Sequence, residues 1–98
     1  MSYRTLRLCS GKAAFEAIPE PKLRLDLPAA QQRLVSAGRT VVDARVLLIV
    51  PGAPEITLLR DGRIVFKTTD EREAQQTFQW LRSLLALPGL EDRSFERA

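Results

Sequence analysis

Apolar and polar positions between residues 54 and 87 change their spacing once, and this change predicts two strands followed by a helix. Residues 56–59 and 64–66 alternate in the way that is typical of strands with one buried face. Asp61-Gly62 lies between the two runs and predicts a two-residue type I′ turn, because Gly adopts positive φ without a steric cost. The faces predicted to point away from the core carry Thr57, Leu59, Val65 and Lys67.

The helical spacing begins directly after the second run. Asp70 is a suitable N-cap, and Glu73 follows at the spacing of a capping box. Pro88-Gly89 is expected to end the helix. The apolar stripe expected to face the sheet comprises Ala74, Phe78, Leu81 and Leu85.

The N-terminal part of the chain predicts three further elements. Residues 3–18 alternate around Ser10-Gly11 and predict a β-hairpin, and residues 22–25 predict a short strand. Asp26 is expected to cap a helix that Gly38 closes in the C′ position. Residues 18–21 contain two prolines and are expected to form a stiff connector.

Residues 41–50 form the most apolar run, and we interpret them as one strand with apolar side chains on both faces. Such a strand is usually covered on both faces. Only two helices are predicted, and both are expected on one side of the sheet. The other side is therefore expected to be covered by the N-terminal hairpin or by another molecule.

These elements predict an α+β fold: a curved antiparallel sheet with two helices on one face and an additional N-terminal β-hairpin. The expected division is a hairpin extension over residues 1–20, a core domain over 21–90 and a charged, frayed tail over 91–98. A length of 98 residues is typical of one small domain, whose stability would benefit from association.

Composition narrows the function classes. His is absent and Cys occurs once, which excludes a His/Cys metal site within one chain and the His-based catalytic triads. Cys9 precedes Ser10-Gly11-Lys12 and is either a thiol activated by a nearby cation or a small strand residue. We expect no cofactor and no independent enzymatic activity. No apolar run has the length of a membrane span and no signal peptide is recognisable, so a cytoplasmic location is expected.

The leading functional hypothesis is a small interaction module that forms a homodimer through its sheet, or binds another protein there. It rests on the two-faced apolar strand at residues 46–50 and on a Trp at the margin of the helical stripe. The candidate partner-binding residues are Leu47, Ile49, Thr57, Leu59, Val65 and Trp80.

The alternative hypothesis is nucleic-acid binding through a basic surface. The net charge is +3, and cations are in excess between residues 21 and 50. Contacts with phosphate groups would make such binding dependent on salt. The candidate residues are Arg24, Arg33, Arg39, Arg45, Arg63 and Lys67.

Three short segments carry a resemblance to a known family: Leu25-Asp26-Leu27, Asp61-Gly62-Arg63 and Thr68-Thr69-Asp70. With the order of elements over residues 22–87, they resemble one half of the TATA-box-binding-protein core. That family uses two tandem halves and inserts pairs of Phe side chains into the DNA minor groove. This stretch corresponds to a single half, and its Phe66 and Phe78 are expected in the core, so the resemblance implies the fold rather than the DNA-binding role.

The turn at residues 60–63 also resembles the Pro-Asp-Gly-Arg turn near the C-terminus of some ThiF/MoeB-like adenylyltransferases. This resemblance implies a third hypothesis, an accessory partner of an adenylyltransferase or of a sulfur-carrier system.

Overall fold

The computed structural model describes residues 2–9, 14–21 and 23–88, with the backbone alone described for residues 4–9. All strand pairs of the single six-stranded sheet are antiparallel, in the order β1-β2-β6-β5-β4-β3. The predicted α+β class is confirmed. In chain order the elements are β1 (Ser2–Cys9), β2 (Ala14–Glu20), α1 (Leu27–Ser36), β3 (Val42–Asp43), β4 (Leu47–Val50), β5 (Ile56–Leu59), β6 (Ile64–Phe66) and α2 (Glu71–Leu85).

One face of the sheet and the two helices form the hydrophobic core. The alternation in β5 and β6 is as predicted, because Ile56, Leu58, Ile64 and Phe66 are all fully buried. Burial of one such side chain stabilises the fold by roughly 1.5–3 kcal/mol. Phe78 of α2 packs edge-on to Phe66, with ring centroids 6.3 Å apart. The helices contribute Leu27, Ala30, Leu34, Ala74, Phe78 and Leu81 to the same core.

Both helices begin at the predicted N-caps. Asp26 accepts a hydrogen bond from the Ala29 amide at 3.1 Å, and Asp70 accepts one from the Arg72 amide at 3.0 Å. The predicted capping box is incomplete, because the Asp70 amide donates to Thr68 Oγ1 and so does not bond the Glu73 carboxylate.

The ends of the helices follow the prediction less closely. Gly38 follows α1 with φ of 85°, as expected for the C′ position. Helix α2 ends at Leu85, before Pro88, because Ala86 adopts a left-handed conformation with φ of 57°. The Leu87 amide then donates to the Arg82 carbonyl at 2.9 Å, which satisfies one of the free carbonyls of the last turn.

The described residues of the N-terminal hairpin extend the sheet and do not cover its second face. β2 pairs with β6 in a register that places Phe15 opposite Phe66 and Ala17 opposite Ile64. The stiff connector predicted for residues 18–21 is wrong over most of its length, since β2 continues to Glu20. The hairpin as a cover for the sheet, one of two predicted options, is thereby excluded for its described residues. Its predicted turn at Ser10-Gly11 lies outside the described residues.

The short strand predicted for residues 22–25 is wrong over its described part. Residues 23–26 are outside regular secondary structure, and Lys22 lies outside the described residues. Leu25 makes one backbone hydrogen bond, from its amide to the Arg60 carbonyl at 2.8 Å. The physical reason is that β2 already occupies the edge of β6, so this segment crosses the end of the sheet instead of adding a strand.

The single strand predicted for residues 41–50 is also wrong, because a turn divides it into β3 and β4. Val42 pairs with Ile49, and the Ala44 amide donates to the Leu47 carbonyl at 3.0 Å. Arg45 lies in this turn with φ of 71°. This left-handed conformation lies outside the β region and is uncommon for residues other than Gly, so the strand is interrupted there.

The turn between β5 and β6 has three residues, and the predicted type I′ turn is wrong. The Leu59 amide donates to the Arg63 carbonyl, which closes a loop of residues 60–62. A type I′ turn needs positive φ at both central residues, but only Gly62 has it here, with φ of 92°.

Candidate functional site

The second face of the sheet points away from both helices, and we call it the open face. Side chains on this face are neighbours of buried core residues along each strand, so the alternation of β-strands places them on the opposite side. Neither described helix packs on it, because the buried side chains of both belong to the core cluster. The open face comprises Glu16, Ile18, Val42, Leu47, Ile49, Glu55, Thr57, Leu59, Arg63, Val65 and Lys67.

The strand register aligns apolar side chains into rows that cross the open face. Val65 lies opposite Thr57, Thr57 opposite Ile49, and Ile49 opposite Val42. A second row runs from Leu59 to its partner Leu47. Directly opposite side chains lie about 5 Å apart and pack together. The open face therefore has a continuous apolar half over β3, β4, β5 and β6.

Charged side chains border the apolar half of the open face at both ends of β6. At one end, Arg63 lies 3.5 Å from the Glu16 carboxylate and 3.0 Å from the Asp61 carboxylate. At the other end, Lys67 lies 3.9 Å from the Glu55 carboxylate. Exposed ion pairs of this kind contribute about 0–1 kcal/mol each to stability. They give the border of the open face both signs of charge.

The structure brings together five of the six predicted partner-binding residues. Leu47, Ile49, Thr57, Leu59 and Val65 all lie on the open face and are all half-buried. Val42 was not predicted as part of this surface and is 47% exposed beside Ile49. Its position could have been found from the alternation of residues 41–50, had the turn at Arg45 been recognised. Ile18 also lies on the open face and was not among the predicted residues. The reason is that Pro19 and Pro21, which follow it, predict a connector instead of a strand.

Trp80, the sixth residue of that set, lies in the helical layer on α2. Its side chain is 37% exposed, and the Arg39 guanidinium lies 5.2 Å from the centre of its ring. Arg39 also donates to the Pro51 carbonyl at 3.1 Å. This cation–π contact occupies one side of the ring, and the sheet separates Trp80 from the open face. An open cleft of about 220 Å³ adjoins Trp80 and is lined by Arg39, Ala53, Pro54, Ile56, Gln76 and Thr77.

The six predicted nucleic-acid-binding residues do not form one surface. Arg63 and Lys67 lie on the open face at opposite ends of β6, and Arg39 lies over Trp80. Arg33 projects from α1 and donates to the Leu84 carbonyl at 3.2 Å. Arg24 and Arg45 line a separate cleft, together with Arg60, which sequence reasoning had assigned only to the turn between the hairpin strands.

Within ranges 2–9, 14–21 and 23–88, no three His, Cys, Asp or Glu side chains lie close enough together to hold a metal ion. Burial raises the pKa of the Tyr3 hydroxyl, and the negative charge of Asp61 raises it further. The Cys9 side chain and Ser10-Gly11-Lys12 lie outside the described residues. None of the helices described is both long and apolar enough to span a bilayer.

Comparisons with models of protein families, with curated proteins and with solved structures found no match to this chain. The resemblances to the TATA-box-binding-protein core and to the adenylyltransferases therefore stay predictions.

Proposed function

We propose that this chain is a non-enzymatic interaction module that forms a homodimer by packing the open faces of two copies against each other. The observation that carries the proposal is the apolar half of the open face, which includes Val42, Leu47, Ile49 and Leu59. The described helices cover only the other face of the sheet. Two sheets that pack face to face lie about 10 Å apart, with side chains of the inner faces interdigitating.

A stable dimer would use most of the open face. The molecule measures 34 × 26 × 21 Å, and the product of the two longer extents, on the order of 900 Å², is an upper limit for the area of the face. Standard stable interfaces bury about 800 Å² per partner.

The charges on the open face favour a second copy over a partner of strong single charge. In a two-fold symmetric interface the same patch meets itself, so a patch with one sign of charge would repel its copy. Arg63 and Lys67 stand beside Glu16 and Glu55, and the face therefore carries both signs. An apolar half bordered by mixed charge is compatible with self-association.

The test is the solution mass of the full chain and of one open-face variant. Light scattering coupled to size exclusion is expected to give twice the 11.0 kDa chain mass for the wild type. Leu59→Glu is expected to give a monomer, because association would remove the new carboxylate from water at a cost that exceeds its attraction to a neighbouring cation. Leu59 pairs with Arg63 across the hairpin, so the monomer itself tolerates the new charge.

Val35→Glu is the matched control. Val35 is 54% exposed on α1, in the layer opposite the open face, so the same substitution there is expected to leave the mass unchanged. Circular dichroism of both variants checks that they fold. If Leu59→Glu does not fold, Thr57→Arg places a charge in the centre of the same face at a position that is already polar. A monomeric wild type at high micromolar concentration would contradict the proposal, as would a folded Leu59→Glu variant that stays dimeric.

A further inference from the structure

Three arginine side chains converge on one cleft at the end of the sheet, which we call the arginine cleft. Its volume is about 580 Å³, and it opens to solvent beside the start of α1. Cavities of roughly 300–1,000 Å³ are typical of small-molecule sites. The lining residues are Arg24, Leu25, Asp26, Leu27, Pro28, Arg45 and Arg60.

Hydrogen bonds to the backbone of all three segments hold the cleft together. The Leu25 amide donates to the Arg60 carbonyl at 2.8 Å, which fixes the segment with Arg24 against the end of β5. The Arg60 guanidinium donates to the Arg45 carbonyl at 3.4 Å, and this contact links the end of β5 to the turn between β3 and β4. That turn is itself held by the Arg45 amide, which donates to Asp43 Oδ1 at 2.8 Å. The arginines therefore stand on anchored backbone.

The positive charge of the arginine cleft is not neutralised by the described residues. Asp26 is the only carboxylate among the described lining residues, and it caps α1 through the Ala29 amide. None of the guanidinium groups of Arg24, Arg45 and Arg60 forms an ion pair within the described ranges. Like charges held close together repel one another, and an anion bound between them removes that cost.

We propose that the arginine cleft binds the phosphoryl group of a small organic phosphate. The planar guanidinium offers a fork of donors that matches two phosphate oxygens at once, so several arginines suit a doubly charged phosphoryl group better than a point-like cation would. The Asp26 carboxylate already caps the positive end of α1, so the attraction comes from the three guanidinium groups. Leu25, Leu27 and Pro28 supply apolar surface for the organic part of the ligand. The same chemistry is presented by the backbone of a nucleic acid, which is the second possible source of the phosphoryl group.

This site is independent of the proposed dimer, because none of its lining residues belongs to the open face. A monomeric protein that binds phosphate, or a dimer that does not, would separate the two proposals.

The experiment is calorimetric titration of the full chain at low salt. The probes are inorganic phosphate, pyrophosphate, adenosine monophosphate and a short oligothymidylate. Arg24→Gln and Arg60→Gln each remove one fork, and each is expected to weaken binding about tenfold, because charge-assisted hydrogen bonds to phosphate are lost. Arg60→Lys keeps the charge without the fork and is expected to restore only part of the affinity. Arg72→Gln removes the same charge from an exposed position on α2 and serves as the matched control.

Binding of pyrophosphate or the mononucleotide that Arg24→Gln and Arg60→Gln weaken and Arg72→Gln leaves unchanged supports the proposal. Binding of the oligonucleotide alone, with the same dependence on the two arginines, supports the cleft and assigns the phosphoryl group to a nucleic acid. Absence of binding by every probe at millimolar concentration would overturn the proposal. Equal weakening by Arg72→Gln would overturn it as well, because attraction to the overall charge would then account for the binding.

Discussion

The hydroxyl of Tyr3 donates a 2.6 Å hydrogen bond to the carbonyl of Gly62, across 59 positions of sequence. Tyr3 is fully buried, and its ring also packs edge-on against Phe78, with centroids 5.1 Å apart. One side chain thus joins β1, near the edge of the sheet, to the turn between β5 and β6 and to α2. The N-terminal hairpin is consequently part of the same core as the helices.

Tyr3→Phe is expected to lower the free energy of unfolding by about 1–2 kcal/mol, because the buried Gly62 carbonyl loses its partner while the ring stays in place. Denaturant unfolding measures this loss, with an unchanged dependence on denaturant. Tyr3→Leu also removes the ring contact with Phe78, and a larger loss is expected for it. A Tyr3→Phe variant as stable as the wild type would show that the hydrogen bond contributes no net stability.

Stability is expected to fall as the pH rises above the ordinary tyrosine pKa of 10.0. Burial and the charge of Asp61 raise the pKa of Tyr3 in the folded state. The neutral form is therefore favoured by folding, and its contribution is complete below pH 10.0 and is lost as the unfolded chain begins to ionise above it.

The difference in unfolding free energy between wild type and Tyr3→Phe isolates this effect from the titration of lysines. We expect the difference to shrink as the pH rises above the ordinary value. Tyr3 is the only tyrosine in the sequence, so tyrosinate absorbance follows its ionisation directly. Ionisation of Tyr3 in the folded protein with a pKa near the ordinary value of 10.0 would refute the predicted shift.

Gly62→Ala is expected to destabilise the fold more than Gly38→Ala. Both glycines have positive φ, of 92° and 85°, so both substitutions incur a backbone strain of about 1 kcal/mol. A Cβ atom at position 62 would also lie 2.8 Å from the Leu23 carbonyl oxygen and 3.0 Å from Pro19 Cγ, whereas nothing lies within 4 Å at position 38. Thermal or denaturant unfolding of the two variants measures the steric part as their difference. Equal losses would mean that the segment around Leu23 moves freely.

Trp80→Phe is expected to leave the mass of the proposed dimer unchanged, because Trp80 lies in the helical layer. Arg39→Gln is expected to alter the fluorescence of Trp80, since the guanidinium lies 5.2 Å from the ring centre. Trp80 is the only tryptophan in the sequence, so the tryptophan emission spectrum comes from this ring alone. Arg33→Gln, on α1, provides the control for loss of one positive charge. If the Trp80→Phe variant were monomeric, the dimer interface would have to include the helical layer, and the proposed interface on the open face would be contradicted.

Local patterns predicted most of the elements correctly. Asp26 and Asp70 cap their helices because an N-cap is satisfied by amides two or three residues away, a range that the sequence reveals directly. The alternation of residues 56–59 and 64–66 also assigned each side chain to its face. The predictions for residues 22–25 and 41–50 were wrong although both segments alternate as strands do. Whether such a segment forms a strand also depends on a free sheet edge beside it, and distant parts of the chain determine which edges are free.

The two candidate surfaces also differ in how far the sequence predicts them. Leu47, Ile49, Thr57, Leu59 and Val65 were predicted together because a strand register carries one face across its neighbours. The arginine cleft was not predicted, since Arg24, Arg45 and Arg60 belong to three separate segments that only tertiary hydrogen bonds bring together.

The sequence by itself determined where both helices begin, which residues form β5 and β6, and which side of those two strands is apolar, because period and capping act over a few residues. The tertiary structure decided that β2 occupies the edge of β6 and that a turn at Arg45 separates β3 from β4. These features follow from competition among strands and helices for the same edges and faces, and that competition is settled only when the whole chain packs.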